Sequence, residues 1–369
     1  MEYILLHKQT EAACVDIDEG GLIRSTVSVI SPEHMPAPEG QPLKQWWYGR
    51  CIPNARQGIS GFLSDNGFPT MHCLLPGSLG LNLSDQYWIR PVDSDVSWDE
   101  VNFFDNPFQE AFGTGLMIGA PASDPMTPDI ATDGVLGKRW TVDAGRRRLI
   151  KSGTEPFRQE PVNEAVATAI MEAQGIPCAH YDLMWDDGLP YSFCDCFVTP
   201  DTELITAAMV IQNKDREERS NRGAYEKSCT SLGIDIGLAM AQQDFIDYMM
   251  MNNDRHLGNY GLIRDADSLD WIGPAPIFDT GTSLMCRKGT KAIMKAAHAG
   301  ASDPWMERLY GSDLDWLDMD ALHRSIDTAS GIIRSTAEKS MDEDFDDERA
   351  DALIEVLRSR AEGLENLFA

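Results

Sequence analysis

The stretch Met249–Asp265, MMMNNDRHLGNYGLIRD, joins the apolar end of a helix to a dense polar loop. Surface loops are polar, but they are rarely flanked on both sides by sequence typical of a protein core. A second segment, APIFDTGTSL at residues 275–284, places Asp279 at the end of another short apolar run. We interpret the two segments as parts of one site, whose polar side chains are held rigidly by core helices and strands.

The composition of the chain excludes several classes of function. Its 369 residues are 43% hydrophobic and 8% aromatic, which is typical of a folded protein of two or three lobes. Acidic residues number 59 against 31 basic ones, so the net charge of −28 argues against direct nucleic-acid contact and against anionic membranes. The eight cysteines form no C-x-x-C pair, and neither a signal peptide nor a membrane-length apolar run is evident. We therefore expect a cytoplasmic protein.

The order of predicted elements indicates an α+β protein with a strand-rich lobe followed by a mainly helical lobe. Residues 1–125 form an N-terminal α+β region of unclear role, and the proline-rich segment 121–134 marks a boundary. Residues 126–200 contain a β-hairpin around the turn DAGRR, a helix over EPVNEAVATAIMEAQGI and two further strands. Residues 201–369 are mostly helical. The Trp46–Trp47 pair is interpreted as core rather than as a ligand site.

The polar residues suit phosphoryl transfer from ATP, which depends on positioning and charge neutralisation. A lysine at the end of a hairpin strand, Lys151, precedes a helix carboxylate, Glu164, by thirteen residues. Asp254 and Asn259 lie five apart in a loop that leaves a helix, and Asp279 follows a further strand-like stretch. Carboxylate and amide oxygens are ligands that Mg²⁺ accepts beside phosphates.

The segments NNDRHLGNYGLI and APIFDTGTSL resemble the catalytic and metal-binding motifs of HipA-type serine/threonine kinases. They are more distantly similar to the phosphatidylinositol kinases. The resemblance covers residues 130–285 by motif and implies a two-lobed, protein-kinase-like fold. It implies that Asp254 is the catalytic base and that Asn259 and Asp279 bind Mg²⁺. It likewise implies that Lys151, in LIKSG, and Glu164, in VNEAVATAIMEAQGI, bind ATP.

The same resemblance assigns further residues of the site. FCDCF falls where a hinge meets adenine, which implies Asp195 and Phe197 as nucleotide-binding residues. TDGVLGKRW takes the place of the phosphate loop, with Gly134, Gly137 and Lys138 near the phosphates.

His256 belongs to the catalytic loop, where we expect it to brace Asp254 through a backbone hydrogen bond rather than to carry a proton.

Three alternatives stay open on the sequence alone. The favoured hypothesis is that the phosphoryl acceptor is a protein, but a kinase of small molecules or lipid headgroups would use the same loop with Asp254 and Asn259. A nucleotide-binding pseudokinase or interaction module would keep ATP affinity without transfer. A metal-dependent hydrolase would use similar ligands but would not need the pair of Lys151 and Glu164. The resemblance also raises a toxin role with an antitoxin-like protein regulator as partner.

Overall fold

The computed structural model describes residues 1–36, 42–56, 58–108, 126–211, 218, 220–297 and 304–368. The described strands are β1 (Glu2–His7), β2 (Thr10–Ile17), β3 (Ile23–Val29), β4 (Tyr87–Pro91), β5 (Lys138–Asp143), β6 (Arg146–Lys151), β7 (Tyr181–Asp186), β8 (Leu189–Asp195), β9 (Thr202–Thr206), β10 (Gly261–Asp265) and β11 (Trp271–Pro274). The described α-helices are α1 (Leu43–Gly49), α2 (Ile59–Asn66), α3 (Trp98–Val101), α4 (Glu160–Ala173), α5 (Ala207–Val210), α6 (Asn221–Ser231), α7 (Gly237–Met250), α8 (Thr290–Ala297), α9 (Pro304–Leu309), α10 (Met319–Lys339) and α11 (Asp347–Phe368). The prediction of a mixed helix and strand protein is confirmed.

The strands form three sheets. Their orders are β3-β2-β1-β4, β11-β10-β9 and β5-β6-β8-β7. In the first sheet β1 pairs antiparallel with both β2 and β4, and β2 pairs antiparallel with β3. The pairs β9–β10 and β7–β8 are antiparallel too. Short turns join β1 to β2, β2 to β3 and β7 to β8, whereas β1 and β4, and likewise β9 and β10, pair across long stretches of chain.

The chain divides into two compact units. Unit 1 comprises residues 1–149, 196–234 and 261–273, and unit 2 comprises residues 150–195, 235–260 and 274–369. Unit 1 holds the first sheet and buries Trp46, Trp47 and Trp88, so the interpretation of the tryptophan pair as core is confirmed. The residues 121–125 of the predicted boundary lie outside the described part of the chain, and the predicted three-domain division stays a prediction.

The apolar core of unit 2 packs four long helices. Val166 and Ile170 of α4, Phe245 of α7, Ile333 of α10 and Leu357 of α11 are all buried in one cluster. The spacing of the buried residues leaves polar residues on the outer faces of α10 and α11, as the sequence periodicity predicted, whereas α4 and α7 are buried along most of their length. Residues 201–369 are not helical throughout, because they also contain β9, β10 and β11. The segment TELIT of β9 is rich in β-branched residues, which favour a strand over a helix.

Local sequence explains the two elements that carry the first site residues. The predicted hairpin is confirmed, and its two-residue turn places Ala144 at φ 49° and Gly145 at φ 81°, as a primed turn requires. Helix α4 begins with Pro161 in its first turn and is followed by Gly175 at φ 66°. Proline is compatible with the start of a helix, and a glycine with positive φ ends one.

Among the described helices, none combines the length and the apolar character that crossing a membrane requires.

A buried carboxyl in unit 1, Asp129, is expected to make stability depend on pH. Burial raises its pKa from 3.8 to about 7, although Trp140 N donates to its Oδ1 over 2.6 Å and Arg56 is near. The folded state therefore binds the proton more tightly, so the free energy of unfolding falls as pH rises from about 4 to about 7. A shift of this size corresponds to about 4 kcal/mol.

Asp129→Asn should remove this dependence. The free energy of unfolding of the variant minus that of wild type should therefore increase from pH 4 to pH 8, because only wild type loses stability over this range, and denaturant titrations at both pH values would measure it. Asp93→Asn, a change at an exposed carboxyl of the same unit, is the matched control. Parallel pH profiles for wild type and Asp129→Asn would contradict the expectation.

Candidate active site

The Lys151 ammonium, at the end of β6, lies buried between three acceptors. Its Nζ donates to Glu164 Oε1 over 2.7 Å, to Asp279 Oδ1 over 2.8 Å and to Tyr181 Oη over 2.9 Å. Burial disfavours the charged amine, but Asp279 and Glu164 outweigh it and hold the pKa of Lys151 well above its ordinary value. The lysine is therefore a positive charge that is fixed in place. Its partner Asp279, whose side chain is 22% exposed, connects this buried charge to the surface.

Glu164 connects the lysine to the segment that follows Asp279. One carboxylate oxygen accepts from Lys151, and the other accepts from Thr280 N and Thr280 Oγ1, both over 2.9 Å. The helix α4 is thereby joined to the start of the Asp-Thr-Gly turn. Asp279 itself has φ 58°, in the left-handed region, which aspartate adopts more readily than most non-glycine residues.

The loop after α7 is anchored by a buried ion pair. Arg255 Nη2 donates to Asp247 Oδ1 over 2.9 Å, and its Nη1 donates to the backbone oxygens of Asn259 and Phe278 over 3.0 and 2.8 Å. The Asn252 amide donates to the same Asp247 oxygen over 2.8 Å. Burial opposes the charge of Arg255, yet Asp247 outweighs it and raises the pKa of the guanidinium. One arginine therefore connects the loop to the residue before Asp279.

Asp254 and His256 lie at the exposed side of this loop. The Asp254 backbone oxygen accepts from His256 N and from Asn259 Nδ2, both over 2.9 Å, and Asp254 N donates to Asn252 Oδ1 over 3.0 Å. His256 Nδ1 accepts from Gly258 N over 3.1 Å. The backbone of Asp254 is thus held on both sides while its carboxylate faces outward. His256 N donates to the Asp254 backbone oxygen, a bond that does not involve the imidazole ring, and the role of His256 in bracing Asp254 stays a prediction.

Asn259 and Asp279 fit a hard divalent cation. Asn259 is buried, and its Nδ2 donates to Asp254 O. Because the amide nitrogen faces Asp254 O, the amide oxygen Oδ1 points away from it. Both residues supply oxygen donors of the kind that Mg²⁺ prefers. Within the described ranges no three His, Cys, Asp or Glu side chains form a metal-binding group.

The segment TDGVLGKRW, which contains Gly134, Gly137 and Lys138, belongs to unit 1. Gly134 has φ 101°, and a Cβ there would lie 2.5 Å from Lys138 Nζ. The Gly134 backbone oxygen accepts from Arg56 Nε over 2.9 Å, and Lys138, at the start of β5, is buried. Gly137 follows in the same connection. A side chain at 134 would therefore displace Lys138 from its present position.

The two residues proposed for the hinge fall on either side of the division between units. Asp195 is the exposed last residue of β8 in unit 2, and the half-buried Phe197 belongs to unit 1. Their roles stay predictions.

Three residues of unit 2 were missed from the sequence. Tyr181 accepts a hydrogen bond from Lys151, Asp247 anchors Arg255, and the Asn163 amide holds the backbone after Asp279. Asp247 carried a signal, because a single acid inside the apolar run FIDYMMM is costly to bury unless it is paired. The other two gave none.

Comparisons with known proteins support the fold. No family model and no curated protein matches the chain. The fold is similar to that of HipA from Shewanella oneidensis MR-1, solved in its toxin–antitoxin complex with HipB and operator DNA. That similarity has a TM-score of 0.54 and 12% identity, and it covers 98% of this chain and 97% of that chain. The Helicobacter pylori proinflammatory kinase CtkA aligns at 19% identity and a TM-score of 0.41 over 62% of this chain and 95% of its own. The predicted resemblance to HipA is thereby confirmed at the level of fold.

Asp247→Asn should loosen the loop that carries Asp254. The amide cannot balance the charge of Arg255, whose side chain is 5% exposed, and breaking such a buried pair from one side costs about 3–5 kcal/mol. Thermal unfolding should show the lower stability, and amide hydrogen exchange should show faster exchange in residues 252–259. Asp327→Asn, the same change at an exposed carboxyl of α10, should alter neither. Unchanged exchange in Asp247→Asn would refute the anchoring role.

Proposed function

We propose that this chain is an ATP- and Mg²⁺-dependent kinase that transfers the γ-phosphoryl group to a serine or threonine hydroxyl of a protein. The observation that carries the proposal is the Lys151 ammonium, held between Glu164 and Asp279 at 2.7 and 2.8 Å. A lysine with one buried and one partly exposed carboxylate partner offers a fixed cation beside an oxygen ligand. Nucleotide phosphates need this pair of groups, whereas hydrolysis at a metal site does not.

In the proposed reaction the acceptor hydroxyl oxygen attacks the γ-phosphorus. The bond from that phosphorus to the β–γ bridging oxygen breaks, and ADP leaves with the electron pair. The outward-facing carboxylate of Asp254 orients the hydroxyl and takes its proton. Lys151 binds the phosphates of the nucleotide, and Glu164 keeps the lysine in place.

Asn259 and Asp279 would hold Mg²⁺, which neutralises charge on the phosphates when it is bound. Arg255 supports both ligands, because it donates to the backbone of Asn259 and of Phe278, the residue before Asp279. Lys138 and the backbone near Gly134 and Gly137 are proposed to contact phosphates, and Asp195 and Phe197 are proposed to contact adenine.

The proposal extends to organisation and partners. Residues 126–200 and 201–369 would act as the two lobes of a cytoplasmic kinase, with 1–125 as an accessory region. The Shewanella protein with a similar fold was solved with HipB and operator DNA. A protein regulator of the antitoxin kind is therefore proposed for this chain. Direct DNA contact is not, because the net charge is −28.

The experiment incubates purified protein with γ-labelled ATP and Mg²⁺, with and without cell lysate. Asp254→Ala and Asp279→Asn should each reduce label transfer by at least about a hundred-fold, since general-base and metal contributions are of that order. Asp327→Asn is the control for the change of one carboxylate. Phosphoamino-acid analysis of the labelled band tests serine and threonine as acceptors.

Each other outcome selects a different function. ADP release with lysate but without protein label would favour a small-molecule or lipid acceptor. ATP binding without ADP release would favour a pseudokinase. A chain that binds no ATP would overturn the kinase proposal.

A further inference from the structure

The segment after Asp279 has a backbone that its own sequence does not favour. Asp279, Leu284 and Met285 have φ values of 58°, 46° and 53°, although none of them is a glycine. Aspartate tolerates such a conformation, but at residues such as Leu284 and Met285 it persists only where contacts from outside the segment enforce it. Glu164 holds Thr280 at one end, so the question is what holds the remainder.

Two amide side chains of the α4 region supply these contacts. Asn163 Nδ2 donates to Gly281 O and to Ser283 O, both over 2.8 Å. Gln159 Nε2 donates to Leu284 O over 3.2 Å and to Asn163 Oδ1 over 3.1 Å. Asn163 and Gln159 are both buried, so water does not compete for these bonds. Three backbone carbonyls within four residues are thereby held from one helix.

A fully buried arginine from the start of α11 completes the chain of bonds. Arg349 Nε donates to Gln159 Oε1 over 2.9 Å, and its terminal nitrogens donate to Lys288 O over 2.9 Å and to Cys286 O over 3.2 Å. Its guanidinium lies 3.6 Å from the centroid of the Phe157 ring. Since Arg349 accepts nothing and Gln159 has one acceptor oxygen, the bond to Arg349 sets the direction of the Gln159 amide.

Gly281 shows how closely α4 approaches this segment. A Cβ at position 281 would lie 3.1 Å from Glu160 O and 3.3 Å from Glu164 Cγ. The segment therefore has little room to shift towards the helix. The hydrogen bonds from the Asn163 and Gln159 side chains prevent it from moving away.

We propose that Asn163, Gln159 and Arg349 are positioning residues that hold the backbone after Asp279 so that its carboxylate meets both Lys151 and a metal ion. This inference rests on the proposed function, in which Asp279 binds Mg²⁺. Adjacent residues of α4 then divide the task. Glu164 fixes the lysine and Thr280, and Asn163 fixes the turn that follows. Groups that orient a metal ligand in this way affect metal affinity by about ten- to a hundred-fold when they are removed.

The test compares Asn163→Ala and Gln159→Glu with wild type. Gln159→Glu keeps the acceptor for Arg349 but removes the donors to Asn163 and Leu284. Both variants should raise the Mg²⁺ concentration for half-maximal phosphoryl transfer by about ten-fold or more. ATP binding measured with EDTA should stay within about two-fold, because these side chains do not meet the nucleotide. Amide hydrogen exchange should accelerate in residues 280–286.

Tyr248→Phe is the matched control. It removes a buried hydrogen bond to a backbone carbonyl of the same unit, from Tyr248 Oη to Arg360 O over 2.9 Å, without touching the segment. Its Mg²⁺ dependence and the exchange of residues 280–286 should equal those of wild type. Equal shifts in Asn163→Ala and Tyr248→Phe, in proportion to their loss of thermal stability, would overturn the positioning role.

Hydrogen exchange separates failure of this inference from failure of the proposed function. If wild type transfers no phosphoryl group, the kinase proposal fails. Hydrogen exchange in the nucleotide-free protein still shows whether Asn163 and Gln159 hold the backbone of residues 280–286. Faster exchange of residues 280–286 in Asn163→Ala but not in Tyr248→Phe would support the hold on the segment. Wild-type exchange rates in Asn163→Ala would overturn it.

Discussion

The buried charge of Lys151 is the constraint on which the site depends. An ammonium placed out of water needs carboxylates close by, and here they come from α4 and from the segment after β11. β7 adds the Tyr181 hydroxyl as a third acceptor. A buried ion pair is weak evidence for stability. Its importance here is positional, because it brings the end of β6, α4, β7 and the segment after β11 together at one nitrogen.

A second buried cation follows the same logic. Arg255 is balanced by Asp247 at the end of α7, and its remaining donors hold the backbone oxygens of Asn259, in the loop after α7, and of Phe278. In both cases a paired charge inside the core joins separate parts of unit 2, through side chains alone for Lys151 and also through backbone oxygens for Arg255. The side chains that face outward, above all Asp254, therefore do not need to hold their own loop.

Much of the site follows from residue type and spacing. Lys151 at a strand end, Glu164 in the next helix and Asp279 after an apolar run were proposed together, and the structure brings their side chains within hydrogen-bonding distance. Tyr181 and Asn163 could not be found in this way. A tyrosine in a strand and an asparagine in a helix are ordinary residues, and only their partners across the fold give them a role.

The sequence by itself determined several element types, through the hairpin turn at Ala144–Gly145 in unit 1 and, in unit 2, through helical periodicity and the proline and glycine that limit α4. It also determined which polar residues were candidates, because charges beside apolar runs must be paired or functional. Only the tertiary structure decided which oxygens share Lys151 and which amide holds the turn after Asp279. The bonds from Lys151 to Asp279 and from Asn163 to Gly281 act over 2.8 Å between residues 128 and 118 positions apart, and no local pattern encodes such contacts.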